Sequence, residues 1–235
     1  RFSRTMAYRP DWKIIRQLFR FGLPAGFQGI VMNLGGLLML RFIGALPFSA
    51  QAQGVYSVGY TQLFSLITWT SHGLLGAATV MAGQNLGAGH PDRVVRSTHI
   101  SASLGLGLAG LVGTAFIFIP EPLLALFGMT EGTVVALGRE LLWYLAISGL
   151  FVTVAMSYTG ALQGTGDTRG PFYISIVSQL IVPVGLCTVL QAVRGLESTD
   201  IWLAIVLGHM TRCLLSILRF RQGHWRRIAV DIGSA

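Results

Sequence analysis

Six stretches of this chain of 235 residues are long and apolar enough to cross a lipid bilayer, and nothing constrains its fold more. Crossing the hydrocarbon core as a helix takes about 20 mostly apolar residues. Lipid offers no partner to an unpaired backbone amide, so such stretches must satisfy their own hydrogen bonds. They run over Phe21–Leu46, Val55–Met81, Ser97–Ile119, Val134–Leu162, Pro171–Val193 and Ile201–Leu218. Only 11% of the residues are charged, against about 25% in soluble domains. The expected fold is an all-α, polytopic membrane protein of six transmembrane helices. A linker of residues 1–20 precedes the membrane region, 21–219, and a tail of residues 220–235 follows it.

The connections are short and polar or rich in Pro and Gly, as in "GTGDTRG" (Gly164–Gly170) and "RGLESTD" (Arg194–Asp200). The longer link from Glu121 to Glu131 suits a short helix at the membrane interface. Basic residues set the orientation, because cytoplasmic loops collect Lys and Arg. Arg1, Arg4, Arg9, Lys13, Arg16, Arg20, Arg93, Arg96, Arg169, Arg219, Arg221, Arg226 and Arg227 fall on one side. Arg41, Arg139 and Arg194 fall on the other, with Glu121, Glu131, Glu197 and Asp200. Both termini are therefore expected in the cytoplasm. The net charge of +8 is explained by these flanks, and no nucleic-acid partner is expected. The chain opens on Arg1 rather than Met, so it is expected to be a piece of a longer protein.

Two stripes of small residues suit close helix contact in lipid. One is Gly22, Gly26, Gly29, Asn33 and Gly36; the other is Ser101, Gly105, Ala109 and Gly113. A polar stripe runs through the second segment: Thr61, Ser65, Thr68, His72, Gly76 and Thr79, at spacings of 4, 3, 4, 4 and 3. Polar groups inside a membrane are costly unless they bond a neighbouring helix or line a wet cavity, and the pattern suits both. Gln28 and Asn33 lie in the first segment, Glu140, Tyr144 and Ser148 in the fourth, Ser175, Gln179, Pro183 and Cys187 in the fifth, and His209 and Arg212 in the sixth. Arg212 is expected to reach toward the basic side. His209 lies deeper and is a candidate proton relay.

No carboxylate sits near the middle of any span, although cation- or proton-coupled transporters usually need one. The five His fall on different segments at no ligand spacing, and Cys187 and Cys213 form no disulfide framework. No metal or other cofactor is expected. No HExxH, GxSxG or acid pair appears, so an enzyme is not expected. The glycine-rich "GQNLGAGH" from Gly83 lacks the Lys of a phosphate loop and follows a membrane segment. It suits a hairpin instead, with Gly87 and Gly89 in the turn and Pro91 opening the next helix.

Three loops carry a resemblance. "GQNLGAGHPDRVVRS", "RPDWKIIRQLFRFGLPAGFQ" and "GALQGTGDTRGPF" resemble, in that order, three stretches of the multidrug and toxic compound extrusion (MATE) transporters. These are the loop after the second helix of each lobe, the linker into the seventh helix, and the loop between the tenth and eleventh. The resemblance covers nearly the whole chain and implies one six-helix lobe, the C-terminal one, of a twelve-helix, two-lobe transporter. It implies a secondary antiporter that exports amphipathic, often cationic compounds in exchange for Na⁺ or H⁺ as two lobes rock about a cavity. It also implies a bacterial-type plasma membrane and an N-terminal lobe as partner. Some members carry a Glu in the seventh helix, where this chain reads "GIVMNLGG" with Met32 or Asn33. Some carry an Asp in the tenth, where it reads "GLFVTVAM" near Val152. The coupling carboxylate is thus expected in the N-terminal lobe. Gln28, Asn33, Tyr60, Thr68, His72, Tyr144 and Gln179 are the candidates for contact with a drug-like substrate. A flippase for lipid or polysaccharide precursors and a membrane scaffold are the rival readings.

Overall fold

The computed structural model describes residues 11–227. Arg1, Arg4 and Arg9 and the tail residues 228–235 lie outside them. Six long helices carry the chain back and forth: α1 (Trp12–Gly44), α2 (Ser49–Gly87), α3 (Pro91–Phe118), α5 (Gly132–Gly164), α6 (Arg169–Val193) and α7 (Ser198–Arg221). A short helix, α4 (Pro120–Ala125), occupies the link in which one was expected. The helices outrun the apolar stretches at most of their ends. Hydropathy reports only the slab that lipid surrounds, whereas a helix continues until its backbone is capped. At the start of α1 the Asp11 side chain accepts from the Lys13 amide at 2.8 Å, a helix cap inside the expected linker. At α7, Glu197 and Asp200 form a capping box that satisfies two amides reciprocally.

Two helices contain wide π-turns, Ser57–Leu63 in α2 and Val177–Ile181 in α6. The one in α6 has a covalent cause. Pro183 has no N–H for the carbonyl four residues back, that of Gln179, and the Val182 amide reaches Val177 instead. The backbone of α1 closes on the freed carbonyl: a Cβ on Gly35 would stand 2.5 Å from Gln179 O. On the other side, a Cβ on Gly208 of α7 would stand 2.6 Å from Ser178 O.

The centre of the bundle is α5, packed against α2, α3 and α7. Its most apolar window is 67% buried, against 17% for α1 and for α6. The stripe on α3 is a packing seam, as expected. Ser101 hydrogen-bonds Ser157 at 3.0 Å, and Cβ atoms on Gly105 and Gly113 would meet Thr153 at 2.9 Å and Ala146 at 3.4 Å. Contact between α2 and α5 is closer still: a Cβ on Gly160 or Gly164 would collide with the Leu75 or Thr79 carbonyl. The glycines of the stripe on α1 pack on nothing among the described residues. Gly22, Gly26, Gly29 and Gly36 have open space where a Cβ would stand, because α1 meets the bundle through Gly35 and Met39 instead.

Loops at the basic end are pinned. Gly89 (φ 76°) makes the hairpin between α2 and α3, and Pro91 starts α3. Asp167, 5% exposed, accepts from Arg219 Nε at 2.7 Å and from the Gly170 amide at 3.0 Å, fastening the loop between α5 and α6 to the end of α7. At the other end Glu121 pairs with Arg139. Backbone hydrogen bonding at the start of α4, then that arginine, holds its carboxyl below the usual range. Arg194 bonds Asp200 at 2.6 Å. Large apolar side chains such as Trp69, Leu111, Phe118 and Ile181 face outward, as lipid allows.

Candidate functional site

Between α1, α2, α5, α6 and α7 lies a cavity of about 620 Å³, the size of a small-molecule site. Its walls are built by the irregular parts of the bundle. The π-turn of α2 presents Tyr60 and Thr61, that of α6 presents Ser178 and Gln179, and glycines 29, 35 and 36 form the α1 side. One wall is a stack of rings. Trp202 lies on Tyr56 (6.2 Å), Tyr56 on Tyr60 (4.9 Å) and Tyr60 on His209 (6.4 Å), all within 8° of parallel.

Asn33, Tyr60, Thr68, His72 and Gln179 all line this cavity, and so does His209. Gln28 and Tyr144 do not. Gln28 is buried against α5, accepting from Gln163 Nε2 at 2.8 Å. Tyr144 packs against the apolar core and edge-on to Trp143. Both are polar residues at helical spacing whose faces the pattern could not assign. Four members of the polar stripe of α2 bond within their own helix: Thr61 to Ser57 O, Ser65 to Gln62 O, His72 Nδ1 with Thr68 O at 2.7 Å, and Thr79 to Leu75 O at 2.7 Å. Thr61 and His72, with these bonds made, and Thr68 turn to the cavity, while Ser65 and Thr79 stand off it.

Arg212 departs most from expectation. It does not extend to the basic end. It is 3% exposed and lines the cavity, one turn from His209. Met32 and Met156 flank its guanidinium, at 3.6 Å from Nη1 and 3.7 Å from Nη2. Three buried polar atoms of residues on this wall have no partner among the described residues: Arg212 Nε, His209 Nδ1 and Ser178 Oγ. No Asp or Glu is among the lining residues. Met32, Asn33 and Val152, the positions singled out for lacking a carboxylate, are all on the lining. Among the described residues no group of His, Cys, Asp and Glu could hold a metal ion.

A bundle of six helices long and apolar enough to cross a membrane, hollowed by a cavity with a few polar groups, defines an integral membrane protein with an internal small-molecule-sized site. The MatE family model matches residues 24–189, and the chain belongs to that family. It is 24% identical over 221 residues to a probable multidrug resistance protein NorM of Thermotoga maritima, covering 94% of this chain and 47% of that protein. It is 26% identical over 223 residues to the multidrug resistance protein MdtK of Pectobacterium atrosepticum, covering 92% and 47%. The chain thus spans about half the length of these curated relatives. Its fold matches the outward-facing structure of a multidrug resistance MATE family transporter with a TM-score of 0.85 at 16% identity, over 95% of this chain and 50% of that one.

Proposed function

We propose that this chain is one six-helix lobe of a secondary-active efflux antiporter for amphipathic, drug-like compounds. The cargo would occupy the cavity, a second lobe would complete its enclosure, and rocking of the two would expose it to each side in turn. The observation that carries this reading is the cavity itself. It has a mostly apolar wall with a stacked aromatic face and a few polar groups, which suits broad recognition of apolar bodies. The names of the relatives, multidrug resistance proteins, support the same cargo class.

Inflow of Na⁺ or H⁺ would drive export. With no carboxylate on the lining, the coupling acid belongs to the second lobe, and His209 is the candidate relay within this one. The basic end, with both termini, faces the cytoplasm of a bacterial-type plasma membrane. A transport role leaves no chemistry for a catalytic group. Of the two arginines that could favour a flippase, Arg41 is exposed and off the lining and Arg212 is on it.

The test is the full-length native protein in proteoliposomes. An imposed Na⁺ or proton gradient should drive at least one of a panel of cationic, neutral and anionic amphipathic compounds across the membrane, and collapsing the gradient should stop it. Movement of none of a panel of amphipathic compounds under either gradient would remove the antiporter reading.

A further inference from the structure

A buried guanidinium needs an anion or a full set of acceptors, since it keeps its proton under all ordinary conditions and a desolvated, unpaired charge is costly. Arg212 has neither. Its contacts are two thioether sulfurs, which are weak acceptors, and its Nε has no partner. No carboxylate lines the cavity that it faces. His209 Nδ1 and Ser178 Oγ, both buried and both unpartnered, border the same space from α7 and α6. Three polar groups with unused bonding capacity thus surround one hollow, beside the ring stack of Tyr56, Tyr60 and His209.

Building on the transporter reading above, we propose that Arg212 makes this cavity a receptor for an oxyanion: it takes the carboxylate, sulfonate or phosphate of an amphipathic molecule whose apolar body lies against the Tyr60–His209 wall. The planar fork of Arg212 can hold two oxygens of such a group. Met32 and Met156 then act as an apolar collar that keeps water from the pair. A bare organic cation is disfavoured at this wall by the fixed positive charge.

Three ligands with one aromatic body and different charge test this directly: 1-naphthylacetate, 1-naphthylacetamide and 1-naphthylethylamine. Their Kd values are measured by equilibrium dialysis on the full-length protein in nanodiscs of zwitterionic lipid, with empty nanodiscs as background. The carboxylate should bind at least about tenfold more tightly than the amide, as a charge-assisted pair requires, with the amine weakest. Arg212→Met should bring the three values together, and Arg212→Lys should keep part of the preference. The wild-type comparison needs no variant to fold. Equal binding of all three by the wild type overturns the anion site. So does a preference for the amine, the result expected where a carboxylate from elsewhere in the full-length protein already pairs with Arg212. Gradient-driven uptake of the same ligands in proteoliposomes separates this proposal from the antiporter reading. Selective binding without transport sinks only the latter, and transport without charge preference sinks only the former.

Discussion

The stripe of small residues on α3 and the one on α1 look alike in sequence and do opposite things. Ser101, Gly105, Ala109 and Gly113 close on α5, whose facing residues Ala146, Thr153 and Ser157 are themselves small. Gly22, Gly26, Gly29 and Gly36 meet nothing among the described residues. A small-residue stripe licenses close approach, but only a matching stripe on the neighbour turns it into a seam. The same contrast divides the molecule. One half, α2, α3, α5 and α7, is packed about the buried α5. In the other half α1 and α6 are little buried, and the cavity opens between them and α7.

The sharpest way to break this comparison is to put a side chain where two backbones meet. Gly160→Ala places a Cβ against the Leu75 carbonyl, which cannot rotate away as a side-chain tip can. It should cost about 1–3 kcal/mol, and Gly160→Leu more, read as a fall in thermal midpoint in detergent. Next is Asp167→Asn. It removes the charge that fastens Arg219 and leaves the loop of residues 164–170 less firmly tied. A loss of about 1–2 kcal/mol follows, with faster protease nicking in that loop as the specific readout. A double-mutant cycle of Ser101→Ala and Ser157→Ala should give a smaller coupling, about 0.6 kcal/mol, in line with interhelical bonds in membranes. Gly26→Ala should change the thermal midpoint of the six-helix chain by no more than about 0.5 kcal/mol in stability terms. The same substitution in the full-length protein sharpens the contrast, because a large loss there means that another body covers the stripe.

The sequence revealed the spans well because lipid imposes a length and a polarity that single residues cannot hide. Turns were legible where chemistry forced them: Gly89 with its positive φ and Pro91 at the first turn of α3. The site was legible in part. Tyr60, Thr68, His72, Gln179 and Asn33 stood out as polar groups in apolar spans, and all five meet at one cavity. Gln28 looked the same but spends its amide on Gln163, a partner 135 residues away that no local pattern indicates. Arg212 was misread because its distance from the basic end permits extension toward it as readily as burial; only the packing of Met32 and Met156 around it decides. The two π-turns were invisible as such. Pro183 was the one available clue, because it has no N–H to offer the Gln179 carbonyl four residues back.

The most direct test of the cavity as the cargo site is to fill it without disturbing the packing. Gly36 lines the cavity and has no atom within 4 Å of where a Cβ would stand. Gly107 on α3 is equally open but lies away from the cavity. Gradient-driven transport of one drug-like substrate by the full-length protein is measured for Gly36→Trp and Gly107→Trp, with thermal midpoints alongside. A cavity that holds the cargo predicts that Gly36→Trp loses at least about tenfold in transport, the equivalent of one good binding contact, at an unchanged midpoint, while Gly107→Trp keeps its rate. Wild-type transport by a folded Gly36→Trp protein would contradict it and move the cargo elsewhere.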